Sequence, residues 1–95
     1  MNIYLKKFGT TLVSRQSGKE ALAAFRPQLT TVKKDEKLLI DFDGVITFTP
    51  SWADEFLTPL FAEYGDRVVL QNTNNPSVRA TLELLEKIKN KEDLF

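Results

Sequence analysis

Near the middle of the chain an unbroken apolar run, Leu38-Leu39-Ile40, leads straight into Asp41-Phe42-Asp43-Gly44. A short apolar run without polar alternation reads as a strand buried on both faces, and such strands belong to parallel sheets whose crossovers are helices. Helices must therefore flank this strand, and the sequence supplies them. After Leu12-Val13 the segment SRQSGKEALAAF sets Ser17 and Glu20 at capping-box spacing, repeats Ala21, Leu22 and Phe25 at helical intervals, and meets Pro27, which should end or bend the helix. Thr49-Pro50 is a cap followed by a proline at the first helical position, with Asp54 and Glu55 placed where the helix dipole favours negative charge. From there Ala53, Phe56, Leu57, Leu60, Phe61 and Tyr64 form one stripe that Gly65 stops, while Pro59, off the stripe, predicts a bend on the solvent side.

Arg67-Val68-Val69-Leu70 is a second short buried strand, and Asn75-Pro76 repeats the cap-plus-proline start for a last helix carrying Val78, Leu82, Leu85 and Ile88. Residues 2–8 alternate loosely and add an N-terminal strand or hairpin at the sheet edge. The expected fold is α/β: a mixed, mostly parallel sheet of about four strands with about three helices, joined by right-handed crossovers. At 95 residues there is room for one domain, spanning 1–95, whose charged end from about residue 88 should fray.

Composition narrows the chemistry. Thirteen basic and thirteen acidic side chains cancel, so no net positive field exists to gather nucleic acid or an anionic membrane. Cys and His are both absent, which removes disulfides, thiolate nucleophiles, the usual general base and the commonest metal ligands. No metal and no cofactor are expected. No stretch approaches the ~20 apolar residues of a membrane span, and the N-terminus has no leader pattern, so a cytoplasmic, unprocessed protein is expected.

Residues 38–57, LLIDFDGVITFTPSWADEFL, resemble the strand-turn-helix core of STAS domains, the fold of sulphate-transporter regulatory domains and anti-sigma factor antagonists. In that family an apolar strand ends in an Asp-containing turn followed by Val, and a Ser-containing stretch then opens a helix; Asp41, Val45 and Phe48 fit. DFDGV followed by SWADEF, with SRQSG upstream and an Asn-rich turn after the next strand, is more specifically similar to a bacterial STAS-like family of unassigned function. The resemblance implies a signalling module that binds a protein partner, a histidine-kinase-like ATPase or an anti-sigma factor, and is no enzyme. It also implies that a serine at the helix start is phosphorylated to break the complex. Here Thr49-Pro50-Ser51-Trp52-Ala53 replaces the family's Asp-Ser-Ser-Gly-Leu type of stretch, leaving Ser51 as the phosphorylation candidate. A phosphate there would lie beside helix N–H groups, but Pro50 removes one donor, and Asp54 and Glu55 repel the charge.

DFDGVITF also resembles the first motif of haloacid-dehalogenase-type phosphatases, which implies Asp41 as phosphoryl acceptor, Asp43 as general acid/base and a bridging Mg²⁺. The strand VVLQNTNN resembles the second motif, but the later Lys and acidic pair of that family have no place in the one helix that remains. As turn residues, Asp41 and Asp43 would simply cap backbone N–H groups. A third class is a small-anion or nucleotide binder at the helix start after Thr49. The expected partner-binding surface comprises Thr49, Ser51, Trp52, Glu55, Asn72 and Asn74, because loops leaving the carboxyl ends of adjacent parallel strands meet at one edge. Trp52, one position ahead of the stripe, is expected to be exposed there as a hot-spot aromatic.

Overall fold

The computed structural model describes residues 1–93, with side chains placed to residue 88. In chain order it contains β1 (Asn2–Tyr4), a 3₁₀ turn (Leu5–Phe8), β2 (Thr11–Leu12), α1 (Arg15–Leu29), β3 (Leu38–Asp41), β4 (Thr47–Phe48), α2 (Pro50–Tyr64), a second 3₁₀ turn (Gly65–Arg67), β5 (Val68–Gln71) and α3 (Pro76–Asp93). The α/β expectation holds, with three helices and only parallel strand pairing among the described residues. The strands divide into a three-stranded sheet, ordered β1-β3-β5, and a separate two-stranded ladder of β2 with β4. The apolar run around Leu38 is the middle strand of the larger sheet, with β1 on the edge. The expected fraying from residue 88 lies partly outside the described residues; α3 is helical to Asp93. Among the described residues no helix is long and apolar enough to cross a membrane.

Register explains the core. Ile3 pairs with Ile40 and Ile40 with Leu70, so these side chains point to one face, together with Leu38 and Val68, which pair with each other. That face meets the helices: Ile3, Leu38 and Ile40 are buried with Leu22 and Phe25 of α1 and Phe56, Leu57 and Leu60 of α2. Leu39, Val69 and Asp41 project to the other face and stay half-buried. The strand is thus buried on one face, not two, because the buried strand side chains belong to a single row.

Helix boundaries moved where another group satisfied the backbone first. The cap of α1 is Ser14, whose Oγ accepts the Ser17 N–H at 3.0 Å, so Ser17 is the third helical residue and Glu20 accepts from Gln16 instead. Pro27 sits in the last turn and the helix runs on to Leu29. Asp54 and Glu55 fall beyond the first turn of α2, where the dipole has faded, and Pro59 lies within an uninterrupted helix. Gly65 closes α2 at φ 54°, a conformation that glycine adopts without strain.

Trp52 corrects the expectation of an exposed aromatic: its relative exposure is 0%. Trp52 and Phe56 are four residues apart, as are Ala53 and Leu57, so the apolar arc of α2 is one row wider than the stripe first drawn. The Trp52 ring stacks on Phe56 at 4.9 Å and 22°, and Phe48 and Phe8 flank it at 5.8 and 6.2 Å.

Candidate functional site

The start of α2 is assembled from three distant segments. β2 pairs with β4 through Thr11 with Thr47 and Leu12 with Phe48, which delivers Thr49 to the end of β2. There the Thr49 N–H donates to the Leu12 carbonyl at 3.1 Å, and its Oγ1 donates to the Val13 carbonyl at 2.9 Å. Thr49 thus occupies the cap position of α2 without a side-chain cap bond; its hydroxyl ties the helix to β2.

The 74–77 segment supplies the second wall. Asn75 Nδ2 donates to the carbonyls of Val45 and Ile46 at 3.1 and 2.9 Å, while its Oδ1 accepts the Ser77 and Val78 N–H groups and caps α3. Ser77 Oγ accepts the Phe48 N–H, and Ser77 and Thr81 hydroxyls both donate to the Phe48 carbonyl. The segments after β3 and β5 do lie side by side, joined through 45–48 and not through Ser51. Asn74 is exposed at the turn tip and Ser51 is half-buried on the second residue of α2.

Arg15 forms the third wall. Its Nη1 donates to Asp54 Oδ2 and Glu55 Oε1, both at 2.9 Å, clamping the start of α1 to α2. These two bonds hold the guanidinium more firmly in its charged form, and the Arg15 bond, with one from Thr58, holds the Asp54 carboxyl below its ordinary range. Glu55, expected to face a partner, is committed to this clamp. Directly beside it Gly18 lets the helices touch: a methyl group there would sit 2.6 Å from the Trp52 carbonyl oxygen. From sequence Arg15, between Ser14 and Gln16, reads as an anion binder or one half of a surface ion pair, and it is the pair that forms; Gly18 carries no such signal, because its partner lies far along the chain.

At the carboxyl end of the larger sheet, Asp41 Oδ1 accepts Asn72 Nδ2 and the Asp43 N–H, each at 2.9 Å. Those bonds, Asn72 first, with the Lys6 charge nearby, hold the Asp41 carboxyl below its ordinary value. Asn72 sits at φ 56°, in the left-handed region that Asn tolerates better than most residues. Asp43 points into solvent, 3.9 Å from Lys6 Nζ. Asp41 therefore works as a turn cap that locks β3 to β5, and Asn72 belongs to this lock, away from the start of α2. Among the described residues no three or more His, Cys, Asp or Glu side chains gather as a metal ion would require.

Beside exposed Asn74 and the solvent-accessible Arg15–Asp54 pair, the start of α2 also presents apolar groups to solvent. Ile46 is 64% exposed and Val13 45%, each beside a strand of the β2–β4 ladder: the Ile46 N–H donates to the Thr10 carbonyl, and the Val13 carbonyl holds Thr49. A family model described as STAS-like domain of unknown function (DUF4325) matches residues 24–78, a span that takes in every expected site residue. No curated protein and no solved structure matches the chain.

Proposed function

Because the chain belongs to the family of STAS-like domains of unknown function, we propose that it is a regulatory, non-enzymatic module that binds a partner protein at the start of α2. The observation that carries this is that two apolar side chains bordering the β2–β4 ladder, Ile46 and Val13, are left exposed beside a corner held by the hydrogen bonds of Thr49 and Asn75. Apolar groups held in water by fixed backbone are the kind of anchor that a partner pocket desolvates. Ser51 and Asn74 complete the surface, Thr49 positions it, and Trp52 supports it from beneath. A phosphate on half-buried Ser51 would place about −1.5 to −2 charge next to this patch and weaken an apolar contact. The resemblance to anti-sigma factor antagonists makes a histidine-kinase-like ATPase the partner class to try first.

In calorimetric titration against such an ATPase, Ile46→Asp should cost at least ~2 kcal/mol of binding while leaving the thermal midpoint nearly unchanged, since Ile46 is already in water. Ser51→Asp should weaken binding in the same direction. Unchanged affinity in both variants would move the interface elsewhere. A phosphatase would show Mg²⁺-dependent hydrolysis of p-nitrophenyl phosphate that disappears in Asp41→Asn; the turn-cap role of Asp41 predicts no turnover above buffer in either protein.

A further inference from the structure

The burial of α3 falls along its length. Val78 and Thr81 are buried against the body, Leu82 and Leu85 are half-buried, and Ile88 is 46% exposed. An open groove of about 560 Å³ lies where α3 draws away from α2. Its floor is apolar, built from Phe61 of α2, Leu70 of β5, and Leu82, Leu85 and Ile88 of α3. Among the described residues its charged rim is acidic: Asp54 on the α2 side, Glu83 and Glu86 on the α3 side. Arg15 already bonds Asp54, which leaves Glu83 and Glu86 as the exposed carboxylates of the described rim.

We propose that this groove is a second docking site, sharing Asp54 with the start of α2, for a partner's amphipathic helix that carries Lys or Arg beside its apolar face. Helix-in-groove recognition seats apolar anchors at i, i+3, i+4 and i+7 spacing in a cleft between elements, and flanking charges select the partner and its orientation. The acidic rim decides among occupants. A second copy of this chain, pairing through the same patch on both subunits, would bring two sets of Glu83 and Glu86 carboxylates into one interface. A basic helix meets those carboxylates with opposite charge.

The test uses the full chain labelled with ¹⁵N and two synthetic 16-residue helical peptides with identical Leu positions, one carrying Lys and one carrying Glu at the flanking sites. The Lys peptide should shift the amide resonances of Ala62, Leu70, Leu82 and Leu85, and its affinity should fall as salt rises. The double variant Glu83→Lys/Glu86→Lys, exposed and harmless to the core, should weaken the Lys peptide about tenfold or more and favour the Glu peptide. Equal binding of both peptides, shifts confined to the start of α2, or an affinity indifferent to the charge reversal would overturn the proposal. So would a concentration-dependent dimer that shields Leu82 and Leu85, or contacts from Leu94 and Phe95 that fill the groove before any peptide is added.

Discussion

Trp52 acts through stability. Its ring is enclosed by Phe8, Phe48 and Phe56, so Trp52→Ala should cost about 3–5 kcal/mol, a large share of the ~5–15 kcal/mol that holds a domain together. Urea unfolding followed by circular dichroism measures this; a loss under ~1 kcal/mol would mean that the site collapses without harm. Asp41 makes a separate residue-level prediction. Its folded pKa lies below the unfolded value near ~3.9, so its contribution is complete above that value and is lost as pH falls through the folded one. Asn72→Gly keeps the backbone at ease and removes the first of the bonds responsible. The stability gap between wild type and this variant should be widest at neutral pH and narrow below about pH 4. The sequence already marked Asp41 and Ser51 as special, because strand ends and helix starts have local signatures. The duties of Glu55 and Asp54 were illegible, since Arg15 reaches them from another helix.

Between elements, α1 approaches α2 closely at Gly18. Elsewhere in a helix, exchanging glycine for alanine gains up to ~1 kcal/mol of propensity. At this crossing the new methyl group meets the Trp52 backbone carbonyl, which cannot swing aside as a flexible side chain would. Gly18→Ala should therefore be a net loss of about 1–3 kcal/mol, seen as a lower denaturation midpoint. A raised midpoint would show that the helices separate at little cost. All three helices were legible from caps and apolar spacing, and their boundaries shifted only where Ser14 or the last turn around Pro27 offered an alternative partner. The β2–β4 ladder was not. Two-residue strands such as Thr47-Phe48 carry no periodicity, and only tertiary pairing with Thr11-Leu12 defines them.

Taken as one body, the molecule is a parallel sheet covered by helices on a single face, with half-buried Leu39 and Val69 on the other. The fold class was legible because alternating strand and helix signals admit few arrangements; the one-sidedness was not, since Leu38 and Leu39 look alike in sequence and differ only in which way the pleat turns them. Amide hydrogen exchange should reflect this layout. The slowest amides should lie in β3 and around Phe56 to Leu60, and those of α3 beyond Leu82 should exchange soonest among helical positions. Uniform protection along α3 would contradict the gradient seen in its burial. Parallel pairing throughout also bears on how the chain first acquires its shape. Asn2 waits for Leu39, Thr11 for Thr47, and Leu38 for Val68, and no strand can close on its neighbour by a hairpin. On the ribosome β1 and β2 emerge early with nothing to pair, so the interval before β3 and β4 follow is when the nascent polypeptide is most open to chaperones and to aggregation.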